Sequence, residues 1–183
     1  MSLRPGVEAV RRATAGTRHP LVLVDGPSGA GKTTFAAALA RAWPGRPPRV
    51  VRVDEAIPGW RGLHRGALEL GRSLLAPHAR GAAGVVHRWD WLEDRPGVDL
   101  RIRPDAPLII EGCGAFAAGG DRSGAVRVWL AALYPTRRRR ALDRDLGAFD
   151  AHWDAWEADW RRHLGRTGHR AAQRAHVTVR LAP

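Results

Sequence analysis

Short apolar runs alternate along the chain with longer stretches in which apolar residues recur every three or four positions. Runs of this length predict buried parallel strands, and the longer periodicity predicts helices. The predicted strands cover residues 21–24, 49–53, 108–110, 125–131 and 176–181. The predicted helices cover about the first fifteen residues and residues 33–43, 63–79 and 136–164. This alternation predicts a three-layer α/β fold around a mainly parallel central sheet.

The pattern favours one domain over the whole of residues 1–183. The Pro- and Gly-rich stretches 44–48 and 117–124 are interpreted as loops, because no shift in composition accompanies them. Within the domain we expect an N-terminal helix and lead-in over 1–19, and a lid with its following helix over 135–165. An apolar content of 44% with 26% charged residues is typical of a folded chain.

Several protein classes are disfavoured. No apolar run approaches the roughly 18 residues of a membrane span, and the first residues lack the apolar stretch of a signal peptide. The single cysteine, Cys113, excludes an internal disulfide framework and a cysteine-rich zinc site, and we expect it to be a small buried residue. We therefore expect a cytoplasmic protein that makes no membrane contact.

The charge balance is strongly basic, with 30 Lys and Arg residues against 18 Asp and Glu and a net charge of +12. Such an excess can serve nucleic acid, an acidic membrane surface or an anionic substrate. The arginines are scattered along the chain, however, and only residues 137–140 form a run. We interpret most of the excess as solvated surface, and nucleic acid is not the expected partner.

The one lysine, Lys32, lies in the sequence GPSGAGKT, which matches the phosphate-loop pattern G-x-x-x-x-G-K-[ST]. A predicted strand precedes the motif and a predicted helix follows it, as in P-loop NTPases. Backbone N–H groups of the loop and the helix N-terminus would cradle phosphates. Lys32 would reach the β- and γ-phosphates, and the Thr33 hydroxyl would ligate Mg²⁺. The predicted nucleotide-binding residues are Gly26, Pro27, Ser28, Gly29, Ala30, Gly31, Lys32, Thr33 and Thr34.

Two carboxylates follow predicted strands where ligands bind in open α/β sheets. Asp54 comes after the strand at 49–53, with Glu55 beside it, and Glu111 comes after the strand at 108–110. Glu111 has the position expected for water-mediated Mg²⁺ coordination, so Thr33 and Glu111 form the predicted metal site. A helix cap or a structural ion pair is the alternative for either carboxylate.

The motif alone does not identify a reaction. The guanine-reading motif of regulatory GTPases contains an Asn, and this chain has none. No segment resembles an ABC signature, and 183 residues leave little room for the helical module of many oligomeric ATPases. A small phosphotransferase is the remaining class.

The chain resembles the uridine-kinase-like branch of the P-loop nucleoside and nucleotide kinases, and within it the compact actinobacterial proteins. The resemblance covers about residues 20–181. It rests on an ordered series of segments: VDGPSGAGKTT, VDEAIPGW, HRWDW with a later Arg95, LIIEG, RRRRALDRD and HWDAWEADW. The first segment is highly specific, and the others carry weight mainly through their order.

The resemblance implies roles for the acceptor residues. Asp54 matches the carboxylate that accepts the proton of the attacking hydroxyl. Trp89 and Asp90, with Trp91, match an element that helps to hold the nucleoside, and Arg95 lies near a substrate-contacting position.

Arg140 and Arg144 match the lid arginines that close over the phosphates, and we assign them catalytic roles together with Lys32 and Asp54. Their spacing independently places them, with Arg137, on one helix face. A solvated basic face is the alternative reading, and for Arg137 it is the favoured one.

The chain departs from the family pattern around the acceptor. Glu55 and Ala56 follow Asp54, Ile57 stands in place of a Tyr, and Trp89 occupies a position where uridine kinases usually have Tyr. ATP as donor is therefore better supported than uridine as acceptor.

We expect most of the eight tryptophans to serve packing. Trp60 is a candidate substrate wall, whereas Trp153, Trp156 and Trp160 form an apolar helical stripe that favours core or lid packing over base stacking.

These observations predict an ATP- and Mg²⁺-dependent phosphotransferase that acts on a hydroxyl of a small molecule, a nucleoside or nucleoside-like compound. One alternative acceptor is an antibiotic or a biosynthetic intermediate. The alternative from another class is a nucleotide-binding module without kinase activity, acting as a regulatory or nucleic-acid-associated protein. The sequence does not predict the oligomeric state.

Overall fold

The computed structural model describes residues 3–144, 147, 149–167 and 171–181. The strands are β1 Leu21–Asp25, β2 Arg49–Arg52, β3 Gly84–Val86, β4 Trp89–Asp90, β5 Arg95–Pro96, β6 Leu100–Ile102, β7 Leu108–Glu111, β8 Val126–Ala131 and β9 Val177–Arg180. The α-helices are α1 Arg4–Ala13, α2 Lys32–Arg41, α3 Leu63–Leu70, α4 Ala76–Ala79, α5 Ala115–Gly119, α6 Tyr134–Arg144 and α7 Trp153–Thr167. A π-helical turn, Gly71–Leu75, joins α3 to α4, and 3₁₀ turns cover Val53–Ala56, Asp150–His152 and Ala171–Arg174.

The central sheet has five parallel strands in the order β2-β7-β1-β8-β9. In this register Glu111 pairs with Val24 on one side and with Arg52 on the other. The carboxyl ends of β1, β2 and β7 therefore lie at one edge of the sheet, where the chain leaves each strand into a loop.

Alternating residues of the central strands contribute to two separate apolar cores, one on each face of the sheet. Val22 and Val24 of β1 pack with α1 and α2 residues such as Phe35, whereas Leu23 packs on the opposite face with α3 and α7. Because both faces are covered, the strands read as continuous apolar runs. The predicted three-layer α/β fold is confirmed. Within the described residues, no helix combines the length and apolar content needed to cross a bilayer.

The helical stretch predicted over 136–164 is divided in the structure. The chain forms α6 and α7 instead, with the Asp150–His152 turn before α7. Gly147, between them, adopts a φ of +91°, which a right-handed helix cannot contain. Part of the predicted lid, residues 145, 146 and 148, lies outside the described residues.

Two small antiparallel pairs were not predicted. β3 pairs with β6, and β4 pairs with β5. Each strand has only two or three residues, too few for an alternating pattern to show in the sequence. The β4–β5 hairpin carries Trp89, Asp90 and Arg95, so it determines where these predicted substrate residues lie.

Candidate active site

The phosphate loop connects β1 to α2 and lies directly against the backbone of β8 and α6. Gly26 and Gly29 have φ values of +142° and +75°. A β-carbon on Gly26 would collide with the carbonyl of Leu130, and one on Gly29 would collide with the carbonyl of Arg137. Glycine is therefore required at both positions for conformation and for space.

Lys32 is the first residue of α2, and its side chain folds back over the loop. Its Nζ donates a hydrogen bond to the Pro27 carbonyl at 2.9 Å and lies 3.5 Å from the Cys113 Sγ. Cys113 is buried as expected, and burial raises the pKa of its thiol. The loop thus holds the ammonium group inside its own curve, where phosphate oxygens bind in P-loop proteins.

Asp25, at the end of β1, is a structural residue of the site that the sequence analysis missed. Its carboxylate accepts backbone N–H groups from Gly26 at 2.7 Å, Gly114 at 3.0 Å and Phe116 at 2.8 Å. Burial raises the pKa of Asp25, while the three donors act in the opposite direction. Asp25 ties the start of the phosphate loop to the segment after Glu111. Its position directly before Gly26 was the available signal.

Glu111 and Thr33 meet at the edge of the sheet. The Thr33 Oγ1 donates to Glu111 Oε1 at 3.0 Å, and the Arg52 Nε lies 3.8 Å from the same oxygen. Glu111 is only 3% exposed, and burial raises its pKa, with a further contribution from the charge of Asp54. Two adjacent oxygen donors beside a phosphate loop fit Mg²⁺, which takes one or two protein oxygens and completes its shell with water and phosphate.

One cleft of about 870 Å³ brings most of the predicted site residues together. The predicted residues that line it are Ser28, Gly29, Gly31, Lys32, Thr33, Thr34, Asp54, Trp60, Glu111, Arg140 and Arg144. Gly26, Pro27 and Ala30 belong to the same loop but do not line the cleft. The cleft therefore joins the phosphate loop, the carboxylates at the carboxyl ends of β2 and β7, and two arginines of α6.

Arg137 differs from its two neighbours on α6. It is 7% exposed and forms two hydrogen bonds with Glu157 of α7, at 2.9 Å and 2.6 Å. Its guanidinium also lies 4.7 Å from the ring centre of Tyr134 and 5.5 Å from that of Trp153. The one-face grouping of three arginines is therefore split: Arg137 joins two helices, whereas Arg140 and Arg144 line the cleft.

Trp89, Asp90 and Arg95 do not line the cleft. The Trp89 indole N–H donates to Asp94, and the Asp90 carboxylate accepts the backbone N–H groups of Leu92 and Glu93. Arg95 is exposed on β5. From this hairpin, Trp91 and Leu92 line the cleft instead. A substrate contact by the other three residues stays a prediction.

Aromatic residues form another part of the cleft lining. Trp60 is among them, and so are Phe149, His152 and Trp156, to which the sequence analysis gave no site role. Trp156 donates from its indole N–H to the Ser28 Oγ at 2.8 Å. Its helical spacing favoured packing over base stacking, because that pattern does not show that one residue of the stripe lines the cleft.

No protein-family model matches the chain. Among curated proteins it is 36% identical over 105 residues to Lon protease 2 of Sorangium cellulosum, covering 55% of this chain and 13% of that protein. It is 33% identical over 156 residues to the tRNA dimethylallyltransferase of Kocuria rhizophila, covering 73% of this chain and 46% of that protein. The chain thus spans less than half the length of either relative.

Two solved structures share the architecture over nearly the whole chain. A possible uridine kinase from Bacillus stearothermophilus matches with a TM-score of 0.62 and 18% identity, covering 97% of this chain and 99% of the other. A protein named for a fructose transport system kinase, from Silicibacter sp. TM1040, matches with a TM-score of 0.59 and 20% identity, covering 100% of both chains. At these identities the likeness concerns the fold alone, a three-layer α/β P-loop NTPase fold.

Proposed function

We propose that the protein transfers the γ-phosphoryl group of ATP to a hydroxyl of a small molecule in an Mg²⁺-dependent reaction. The observation that carries the proposal is the shared cleft. It is lined by Lys32, the Thr33–Glu111 pair and Asp54, together with two arginines of α6. A phosphate loop, a metal-binding oxygen pair, a candidate base and positive charge for the transferred phosphoryl group are the parts that phosphoryl transfer to an alcohol requires.

The phosphate half of the cleft would hold ATP. Inward N–H groups of the loop and the N-terminus of α2 would bind the phosphates. Lys32 would exchange its bond to the Pro27 carbonyl for β- and γ-phosphate oxygens, since that carbonyl lies at the loop itself. Arg140 and Arg144 would neutralise charge on the transferred group.

Thr33 and Glu111 would hold Mg²⁺, Thr33 directly and Glu111 through water. When bound, the cation supplies charge neutralisation between the β- and γ-phosphates. Burial favours the protonated form of Glu111, and a nearby positive charge would favour the carboxylate.

Asp54 would act on the acceptor. Its carboxylate orients the attacking hydroxyl and takes its proton as the oxygen bonds to the γ-phosphorus and the bond to ADP breaks. Catalysis then comes from positioning and electrostatics, and no covalent enzyme intermediate is required.

The acceptor class comes from the sequence resemblance and from one fold neighbour that is named a possible uridine kinase. Both support a ring-bearing alcohol of the nucleoside or nucleoside-like kind. The residues after Asp54, Glu55, Ala56 and Ile57, depart from the uridine-kinase pattern, so an antibiotic or biosynthetic intermediate with such a ring belongs to the same acceptor panel.

The test compares Asp54→Asn with Glu55→Gln. Glu55 is the adjacent carboxylate, which pairs with Arg88 at 3.2 Å and does not line the cleft. We expect Asp54→Asn to lower phosphorylation of the acceptor at least about a hundredfold with unchanged ATP affinity, and Glu55→Gln to stay near the wild-type rate. Products are identified by mass, with Lys32→Ala as the blank. Wild-type turnover by Asp54→Asn would remove the base from the proposal.

A further inference from the structure

We propose that the acceptor half of the cleft selects a planar alcohol whose ring has few polar groups, such as an aryl alcohol, over nucleosides and polyols. The inference rests on the proposed phosphotransfer, but its acceptor comes from the lining of the cleft and differs from the nucleoside that the sequence resemblance supports. We define the acceptor half as the cleft residues outside the phosphate loop, the Glu111–Cys113 segment and the α6 arginines. These are Asp54, Ile57, Trp60, Trp91, Leu92, Phe149, His152 and Trp156.

Five rings of this set form one contiguous surface, the aromatic wall, centred on Trp60. The imidazole of His152 lies nearly parallel to the Trp60 indole, with ring centres 4.2 Å apart and planes 11° apart. Phe149 is also stacked, at 5.3 Å and 22°. Trp91 and Trp156 meet Trp60 by their edges, at 4.8 Å and 6.2 Å. These rings pack mainly on one another, and Phe149 and Trp156 are each only 6% exposed. Trp60, Trp91 and His152 stay partly exposed and line the cleft, so the surface they offer a ligand is aromatic.

The remaining apolar residues strengthen this character. Ile57 borders the cleft but is fully buried, and Leu92 is 91% exposed at the tip of the β4–β5 hairpin. A leucine side chain left in water beside an aromatic cleft loses apolar exposure when an apolar ligand covers it. A polyol would cover the same surface without apolar contact and would lose its own water.

Three polar side chains at or near the wall have hydrogen-bond partners within the protein. The Trp91 indole N–H donates to the Asp54 carbonyl at 2.9 Å, and the Trp156 indole N–H donates to Ser28. Asp90 accepts two backbone N–H groups of its own turn. Among the described residues of the acceptor half, Asp54 and His152 are the side chains with charge or hydrogen-bonding capacity beyond the indoles.

The small number of hydrogen-bonding side chains in the acceptor half favours one substrate class. A pyrimidine ring carries carbonyl and N–H groups along its edge that would leave water without matching partners, and a polyol carries still more hydroxyls. A flat apolar ring loses little on leaving water and gains contact with the aromatic wall. One hydroxyl beside Asp54 suffices for transfer.

The binding experiment uses wild-type protein with Mg²⁺ and a non-hydrolysable ATP analogue, titrated calorimetrically with naphthalen-2-ylmethanol, uridine and sorbitol. We expect naphthalen-2-ylmethanol to bind at least tenfold more tightly than uridine and sorbitol to give no measurable heat. Trp60→Ala should lower the affinity for naphthalen-2-ylmethanol about tenfold. Trp60→Phe should keep the affinity within about threefold of the wild-type value, because any aromatic ring at this position can contact the ligand. Trp43→Ala is the matched control, since Trp43 is also partly exposed but lies after α2, away from the cleft.

Equal or tighter binding of uridine or sorbitol overturns the inference, as does undetectable binding of naphthalen-2-ylmethanol. Unchanged binding by a folded Trp60→Ala protein, checked by its melting curve and nucleotide affinity, also overturns it. Phosphorylated products are assayed separately by mass with ATP. The expected binding order without any Lys32-dependent product would count against phosphoryl transfer and for the aromatic wall. A Lys32-dependent product, together with tighter binding of uridine or sorbitol than of naphthalen-2-ylmethanol, would support phosphoryl transfer and count against the aromatic wall.

Discussion

Replacing Glu157 by Gln tests whether Arg137 anchors α6 to α7. The two residues are 7% and 6% exposed and share two hydrogen bonds. The amide keeps the shape and one acceptor but removes the charge that compensates a buried guanidinium. The Arg161 Nε, 3.6 Å from the same carboxylate, would then add to the unpaired positive charge. Breaking a buried pair costs about 3–5 kcal/mol, and the retained acceptor places this variant at the lower end, about 3 kcal/mol.

The loss should appear as a lower urea midpoint and a melting temperature lower by roughly 6–12 °C, from about 2–4 °C per kcal/mol for a domain of this size. Far-UV circular dichroism follows both transitions. Glu8→Gln is the matched control, because the Arg4–Glu8 pair on α1 is exposed, and we expect no measurable change. If Glu157→Gln unfolded at the same urea concentration as Glu8→Gln, Arg137 would not depend on Glu157, and its separation from the cleft arginines would be wrong.

Three further predictions follow from burial and space. Burial raises the pKa of Glu111, so the ionised carboxylate destabilises the folded protein at high pH. Glu111→Gln should therefore stabilise the fold by about 1 kcal/mol at pH 8 and lose that gain on acidification. The same variant should lower ADP release at least about tenfold. Burial lowers the pKa of His163 to about 4, below its usual value of about 6.5, so the unfolded chain takes up the proton at a higher pH than the folded chain does. Urea titrations of the wild type should therefore show the free energy of unfolding falling by up to about 3 kcal/mol from pH 6.5 to 4. His163→Leu should lack this part of the pH dependence. Gly29→Ala should abolish calorimetric ATP binding because of its backbone collision, whereas Gly45→Ala, which meets nothing within 4 Å, should retain it.

The features that depend on local spacing were predictable. The phosphate loop lies between a strand and a helix, and Asp54 and Glu111 follow parallel strands whose carboxyl ends share one edge. The sequence motif and the rule for open α/β sheets are sufficient for this much. Asp25 was within reach of the same reasoning, but its three backbone partners come from segments that only the fold brings together.

Other features depend on which residue meets which across the fold. Arg137 shares a helical spacing with Arg140 and Arg144, and only the packing of α7 supplies Glu157 as its partner. Trp156 shares the apolar stripe of two core residues, yet its indole reaches the phosphate loop. Helical periodicity specifies a face, and the neighbouring element specifies what each position on that face contacts.

The most direct test of the central claim follows the phosphoryl group itself. Wild-type protein and Lys32→Ala are incubated with Mg²⁺ and γ-labelled ATP across ring-bearing alcohols, nucleosides and sugars, and labelled organic products are separated and weighed by mass spectrometry. The account predicts label on an alcohol oxygen with wild type and none with Lys32→Ala. Label released only as inorganic phosphate across the whole panel, with ATP binding intact, would contradict it.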